Sequence, residues 1–124
     1  ENREKHTLLA LPERLRLMET MTAGMPHLRV IGFDTLLTEQ VLAHKVDAVL
    51  RGVRAFSDFE AELVMALTNR KLLASFETIF MMPSEPYLSL SSSLVKEILR
   101  YGGNVDCFVP APVRAELRKL GKLA

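Results

Sequence analysis

The apolar positions change their period several times along the chain, and each change marks an element. From Leu11 the pattern is helical. Pro12 and Glu13 sit in a first turn, Leu15, Met18 and Met21 recur at helical spacing, and Gly24 and Pro26 stop the run. Leu28 to Phe33 reads as a strand, and Asp34 or Thr35 can cap a short helix bearing Leu36, Leu37, Val41 and Leu42. Ala48 to Leu50 and Thr78 to Met82 read as two further strands, the second partly β-branched and aromatic. Between them, Asp58 to about Leu73 contains no Pro or Gly and places Phe59, Leu63, Ala66 and Leu67 on one helical stripe. Pro83-Ser84-Glu85-Pro86 is a loop. Ser91-Ser92-Ser93 leads into a helix carrying Leu94, Val95, Ile98 and Leu99, which Gly102-Gly103 closes. Val105 to Phe108 is short and extended, and Pro110 to Leu120 is a last helix.

Helices alternating with strands predict an α/β fold with a parallel sheet and crossover helices. The 124 residues suit one domain spanning 1–124. The sheet is small for the number of helices, and one more strand ahead of these residues would complete it.

The stretch from Ala48 to Glu60 carries the chemistry. A strand runs into a loop with Arg51, Gly52 and Arg54, and Ser57 to Glu60 has the spacing of a capping box at a helix start. Open α/β sheets bind ligands beyond the carboxyl ends of their strands, and helix N-termini attract anions. Two arginines there make a site for a phosphate or carboxylate, which Arg can bond in bidentate fashion. The alternative is two solvated arginines pairing with nearby Asp and Glu. Ser91, Ser92 and Ser93 form a second helix start that serves either as an anion site or as simple capping. Glu62 can hold a ribose hydroxyl or sit solvated near the helix start, and its spacing by itself favours the solvated role.

Composition narrows the classes. Apolar residues make up 48%, enough for a core, and a net charge of +1 with interspersed signs excludes a basic nucleic-acid stripe. Cys107 is the one cysteine, so an internal disulfide is excluded and a reducing compartment is expected. With no His or basic cluster beside it in sequence, Cys107 reads as a packed residue. No apolar run is long enough to cross a membrane. His6, His27 and His44 lack metal-ligand spacing, so no protein metal ligand is expected. The six methionines lie mostly on apolar stripes and read as core filling. Neither a Walker loop nor a dinucleotide fingerprint occurs.

Several segments together resemble the bacterial phosphopantetheine adenylyltransferases. They are Arg51-Gly52-Val53-Arg54-Ala55-Phe56-Ser57-Asp58-Phe59-Glu60-Ala61-Glu62, Asn69-Arg70, Phe80-Met81-Met82-Pro83-Ser84 and Leu90-Ser91-Ser92-Ser93-Leu94-Val95-Lys96-Glu97. Gly103-Asn104-Val105 with Phe108-Val109-Pro110 fits as well, and the resemblance runs from about Lys5 to the C-terminus. It implies a Rossmann-like nucleotidyltransferase fold, a parallel sheet flanked by helices, with the first strand missing from these residues. It implies transfer of AMP from ATP to 4′-phosphopantetheine, giving dephospho-coenzyme A and pyrophosphate, the penultimate step of coenzyme A synthesis. Magnesium as cofactor, a cytoplasmic homohexamer and coenzyme A as a feedback ligand come with it.

By the same resemblance, Lys5, Arg51 and Ser92 take catalytic roles. Arg51 binds the phosphopantetheine phosphate, and Lys5 bridges both substrates. Gly52, Val53, Arg54 and Arg100 lie on the ATP side, Glu62 holds the ribose, and Tyr87, Leu88, Ser89, Leu90, Ser91, Ser92 and Ser93 wrap the phosphates. Leu37, Met65, Asn69 and Glu97 contact phosphopantetheine. The family's T/H-x-G-H segment precedes the matched region and is not among these residues, so the chain alone is expected to lack activity. A nucleotide-binding remnant without turnover, or a structural subunit, is the alternative expectation.

Overall fold

The computed structural model describes residues 7–121. In chain order the elements are α1 (Leu11–Thr22), α2 (Leu37–His44), β1 (Val49–Gly52), α3 (Phe56–Leu72), β2 (Thr78–Met81), α4 (Ser92–Arg100) and α5 (Ala111–Lys119), with a 3-10 turn at Glu85–Tyr87. They fall into two compact units. One combines the chain up to Phe33 with the chain from Leu90 onward, and the other is Asp34–Ser89.

In the first unit α1 packs on α5, and Leu17, Val105 and Leu117 are its buried apolar residues. The expected stripe through Leu15, Met18 and Met21 is therefore rotated. Leu17 faces inward while Met18 is 47% exposed, because α5 lies about one residue's turn around the helix. Arg16 crosses from α1 to bond the Glu116 carboxylate of α5, and this bond holds the Glu116 carboxyl below its usual range. Leu28 to Phe33 joins no ladder among the described residues, so the expected strand is not formed there. Val105 to Phe108 is a turn, not an extended run: Asn104 Oδ1 accepts the Asp106 N–H at 2.7 Å, and the Phe108 N–H bonds the Val105 carbonyl at 2.9 Å. The turn leaves Cys107 exposed, against the expectation of a packed thiol.

The second unit holds a βαβ arrangement. β1 and β2 pair in parallel, with Val49 opposite Thr78, Leu50 opposite Ile79, Arg51 opposite Phe80 and Gly52 opposite Met81. Alternation along the strands puts Arg51 and Phe80 on one face and Leu50, Ile79 and Met81 on the other. On the first face the Phe59 ring of α3 meets Phe80 edge-on, with centroids 5.4 Å apart. On the second face Leu50, Ile79 and Met81 are exposed. Val41 and Phe76 are the buried apolar residues of this unit. Met25, Met65 and Met82 are exposed along with Met18 and Met81, so the methionines do not fill the core as expected.

Two helix starts also differ from expectation. α2 is entered from Leu36 without a side-chain cap, and Thr35 Oγ1 instead accepts from Gln40 Nε2 at 2.9 Å. α3 begins at Phe56, so Ser57 lies inside the helix and the expected capping box is not made.

α2 and α4 end in the same way with different residues. After α2, the Val46 N–H returns to the Val41 carbonyl and the Lys45 N–H to Leu42, with Lys45 at φ 51°. After α4, the Gly103 N–H returns to Ile98 and the Gly102 N–H to Leu99, with Gly102 at φ 73°. A Cβ at Gly103 would lie 2.6 Å from Ile98 Cγ2 and 3.2 Å from its carbonyl oxygen, so the second glycine is there for space. The left-handed position suits glycine and strains other L-residues by about 1 kcal/mol. Lys45→Gly should therefore stabilise the protein by about 0.5–1 kcal/mol and Gly102→Ala destabilise it by a similar amount, both read from urea unfolding.

Candidate functional site

The region beyond the carboxyl end of β1 is built by three adjoining pieces: the strand end, the loop Val53 to Ala55, and the first turns of α3. The loop is short, and the Val53 N–H donates to the Met81 carbonyl at 3.0 Å, which carries the parallel pairing one step past the strand. This fixes where Arg51 and Arg54 leave the backbone. Gly52 has open space on its Cβ side, with no heavy atom within 4 Å.

Both arginines meet carboxylates of α3. Arg51 Nε donates to Glu62 Oε2 at 2.6 Å and Nη2 to Oε1 at 2.7 Å, a fork-to-fork pair. Arg54 Nε donates to Asp58 Oδ2 at 2.9 Å, and the Arg54 backbone N–H reaches the same oxygen at 3.4 Å. Asp58, in the first turn of α3, thus ties the incoming Arg54 to the helix, but no side chain caps the helix start. The paired arrangement weighed as the alternative for these arginines is the one the structure holds. Glu62, expected either on a ribose or in solvent, is engaged by Arg51.

The hydrogen bonds from Arg51 hold the Glu62 carboxyl below its usual range, with burial opposing, and the same bonds push the Arg51 guanidinium up. The hydrogen bond from Arg54 likewise lowers Asp58. The Arg51 side chain is 45% exposed and that of Glu62 22%, so one edge of the guanidinium is held while the group still faces solvent.

Asp58, Glu62, Met65 and Asn69 follow one another at helical spacing, so the expected phosphopantetheine contacts Met65 and Asn69 continue the stripe that begins at the ion pairs. Met65 is exposed and Asn69 buried. Leu37 is half-buried at the first position of α2, and Tyr87 and Leu88 are exposed at the 3-10 turn, with Ser89 following.

The remaining expected residues belong to the first unit. Ser91 is the N-cap of α4, and its Oγ accepts the Leu94 N–H at 3.1 Å, so the capping role is real. Ser92 and Ser93 follow in the first turn, where backbone N–H groups have no intrahelical partner. Glu97 lies midway, and Arg100 ends the helix. A helix of nine residues spans about 13 Å, so the Arg100 backbone stands at the opposite end of α4 from the serine turn. Leu90 is half-buried ahead of the cap. Lys5 lies outside the described residues. Asp58, one of the nearby acids weighed as partners of the arginines, was not named as a site residue; it lies four residues after Arg54.

Known nucleotidyltransferases resemble the chain over most of its length. Residues 1–98 match the cytidylyltransferase-like family. The phosphopantetheine adenylyltransferase of Methylococcus capsulatus is 45% identical over 119 residues, covering 96% of this chain and 74% of that protein. That of Opitutus terrae is 45% identical over 117 residues (94% and 73%), and that of Sodalis glossinidius 40% over 114 (92% and 71%). The chain belongs to the phosphopantetheine adenylyltransferase family, and it is an enzyme of the nucleotidyltransferase class.

The Arg51–Glu62 pair sets a pH dependence. A carboxyl lowered on folding adds stability above its ordinary pKa and loses it as pH falls through the folded value. The stability gap between the native protein and Glu62→Gln should be greatest near neutrality and close as pH falls through and below the usual carboxylate range, measured by urea unfolding across acidic pH.

Proposed function

We propose that the protein transfers AMP from ATP to 4′-phosphopantetheine, yielding dephospho-coenzyme A and pyrophosphate in coenzyme A biosynthesis. The observation that carries the reading is the placement of Arg51 near the carboxyl end of strand β1 and Arg54 in the loop just past it, both against the first turns of α3, in a chain of this family. Residues 1–124 belong to a single adenylyltransferase domain, and the active assembly is a cytoplasmic homohexamer that coenzyme A inhibits by feedback. Among the described residues no helix is long and apolar enough to cross a membrane.

An oxygen of the phosphopantetheine phosphate attacks the α-phosphorus of ATP. The bond from that phosphorus to the bridging oxygen breaks, and its electron pair leaves on pyrophosphate. The protein's work is positioning and charge neutralisation. Arg51 and Lys5 hold the anionic acceptor against an anionic nucleotide, two groups that repel each other in water. Gly52, Val53 and Arg54 line the nucleotide, and the bare Cβ side of Gly52 lets it approach the backbone. Glu62 takes the ribose hydroxyls. Tyr87 to Ser93 follow the phosphates, with Ser92 and the first-turn N–H groups of α4 on the leaving pyrophosphate. Arg100 serves a more distant part of the ATP side. Leu37, Met65, Asn69 and Glu97 line the pantetheine arm.

Magnesium keeps several waters and binds through one or two carboxylates plus substrate phosphates. Among the described residues no three His, Cys, Asp or Glu side chains converge, and Asp58 and Glu62 are bonded to arginines. These residues do not fit a resident ion, so magnesium enters as part of the nucleotide substrate.

Arg51→Ala should lower pyrophosphate release from ATP plus 4′-phosphopantetheine by roughly a hundredfold or more, the range for removing one charge-stabilising donor. A rate within a factor of two of the native protein would sink the assignment of Arg51 to the acceptor.

A further inference from the structure

We infer that Glu62 is the competitor that sets how tightly Arg51 takes a phosphate: its carboxylate occupies the guanidinium edge that the incoming anion needs. The inference rests on the reading of Arg51 as a phosphate-binding residue.

The geometry is specific. Both oxygens of Glu62 are used, on Nε at 2.6 Å and on Nη2 at 2.7 Å. That is the two-point contact a phosphate makes with the same edge of a guanidinium. A carboxylate there is an internal copy of the ligand's binding group. Phosphate can gain the edge only by displacing Glu62, or must settle for the other edge with its charge beside the carboxylate. Either way Glu62 weakens the phosphate complex. The carboxylate has a firm seat: α3 is docked on the same sheet face through Phe59 on Phe80, one helical turn from Glu62. Asp58, the neighbouring carboxylate on this face of α3, is held by Arg54 and does not take over the role. Residence on Glu62 keeps Arg51 from other anions, and only a ligand with further contacts to the site can dislodge it.

Arg70–Glu77 is an internal control. Arg70 Nη2 bonds Glu77 Oε2 at 2.6 Å in the same unit, and Glu77 precedes β2, at the opposite end of the strands from Gly52 and Met81. Glu77→Gln removes the same charge from a distant pair.

The test is binding without nucleotide, by titration calorimetry with 4′-phosphopantetheine and by 31P line broadening with inorganic phosphate, on the native chain, Glu62→Gln, Glu77→Gln and Arg51→Ala. Relief of one exposed but bidentate competitor predicts about three- to tenfold tighter binding for Glu62→Gln. Glu77→Gln should stay close to the native value. In the native protein the Arg51 Nε–H resonance should shift on addition of 4′-phosphopantetheine as the Glu62 bond is exchanged, and far less on addition of inorganic phosphate. Unchanged or weaker binding by Glu62→Gln, with Arg51→Ala still defective, overturns the competitor role and leaves Arg51 as the phosphate residue. Equal tightening by Glu62→Gln and Glu77→Gln also overturns it, since net charge then explains the effect. Native affinity in Arg51→Ala overturns the phosphate reading and the competitor with it.

Discussion

α3 is held against one face of the β1–β2 pair by two contacts of opposite character, and the local geometry of the candidate site follows from them. The edge-on Phe59–Phe80 contact is apolar and non-directional in its main effect, and it fixes how closely the helix approaches the strands. The forked Arg51–Glu62 bond is directional and fixes the helix's rotation. Residues 59 and 62 stand one turn apart on α3, and residues 51 and 80 stand opposite each other in the sheet, so the two contacts brace the same junction. With the helix fixed at that depth and rotation, Asp58 falls where it can take the Arg54 side chain and approach the Arg54 backbone N–H.

A site organised this way is electrically quiet before its ligands arrive. Each arginine already faces a carboxylate, so this corner presents dipoles of matched pairs instead of a bare positive field. Small anions are poorly retained by such a surface. A substrate that contacts the loop, the helix start and the Met65–Asn69 stripe together has the additional contacts that exchange requires. On the proposed reading, recognition here rests on simultaneous engagement more than on the long-range attraction typical of strongly basic clefts.

The features legible in the sequence were those with local causes. β1, β2 and the body of α3 follow from short β-rich runs flanking an uninterrupted helical one. The Ser91 cap and the Gly102-Gly103 closure each satisfy backbone groups within five residues of themselves. The misreadings had non-local causes or depended on a one-residue shift. Leu28 to Phe33 has the composition of a strand, but a strand also needs a neighbour to pair with. The inward face of α1 was set by α5, which lies far along the chain. Ser57 lost the cap because α3 starts at Phe56, and a shift of one residue moves a hydroxyl off the N-cap position. Cys107 was judged by its neighbours in sequence, while the Asn104 turn decided its exposure. For the site, strand–loop–helix order identified Arg51, Arg54 and Glu62 as a group. It did not say that two of them face each other, since that depends on the distance across from strand to helix.

The division of the chain gives the two units different histories during synthesis. Asp34–Ser89 is contiguous, so every residue of the βαβ arrangement has been made once Ser89 is added. The other unit is interrupted. Leu17 and Arg16 of α1 wait for Val105, Glu116 and Leu117 before their apolar and charged partners exist. On a ribosome, α1 therefore leaves the exit tunnel with its inward face uncovered and stays so while the whole intervening unit is produced. α1 is thus a segment that a holding chaperone would meet before its α5 partner has been made.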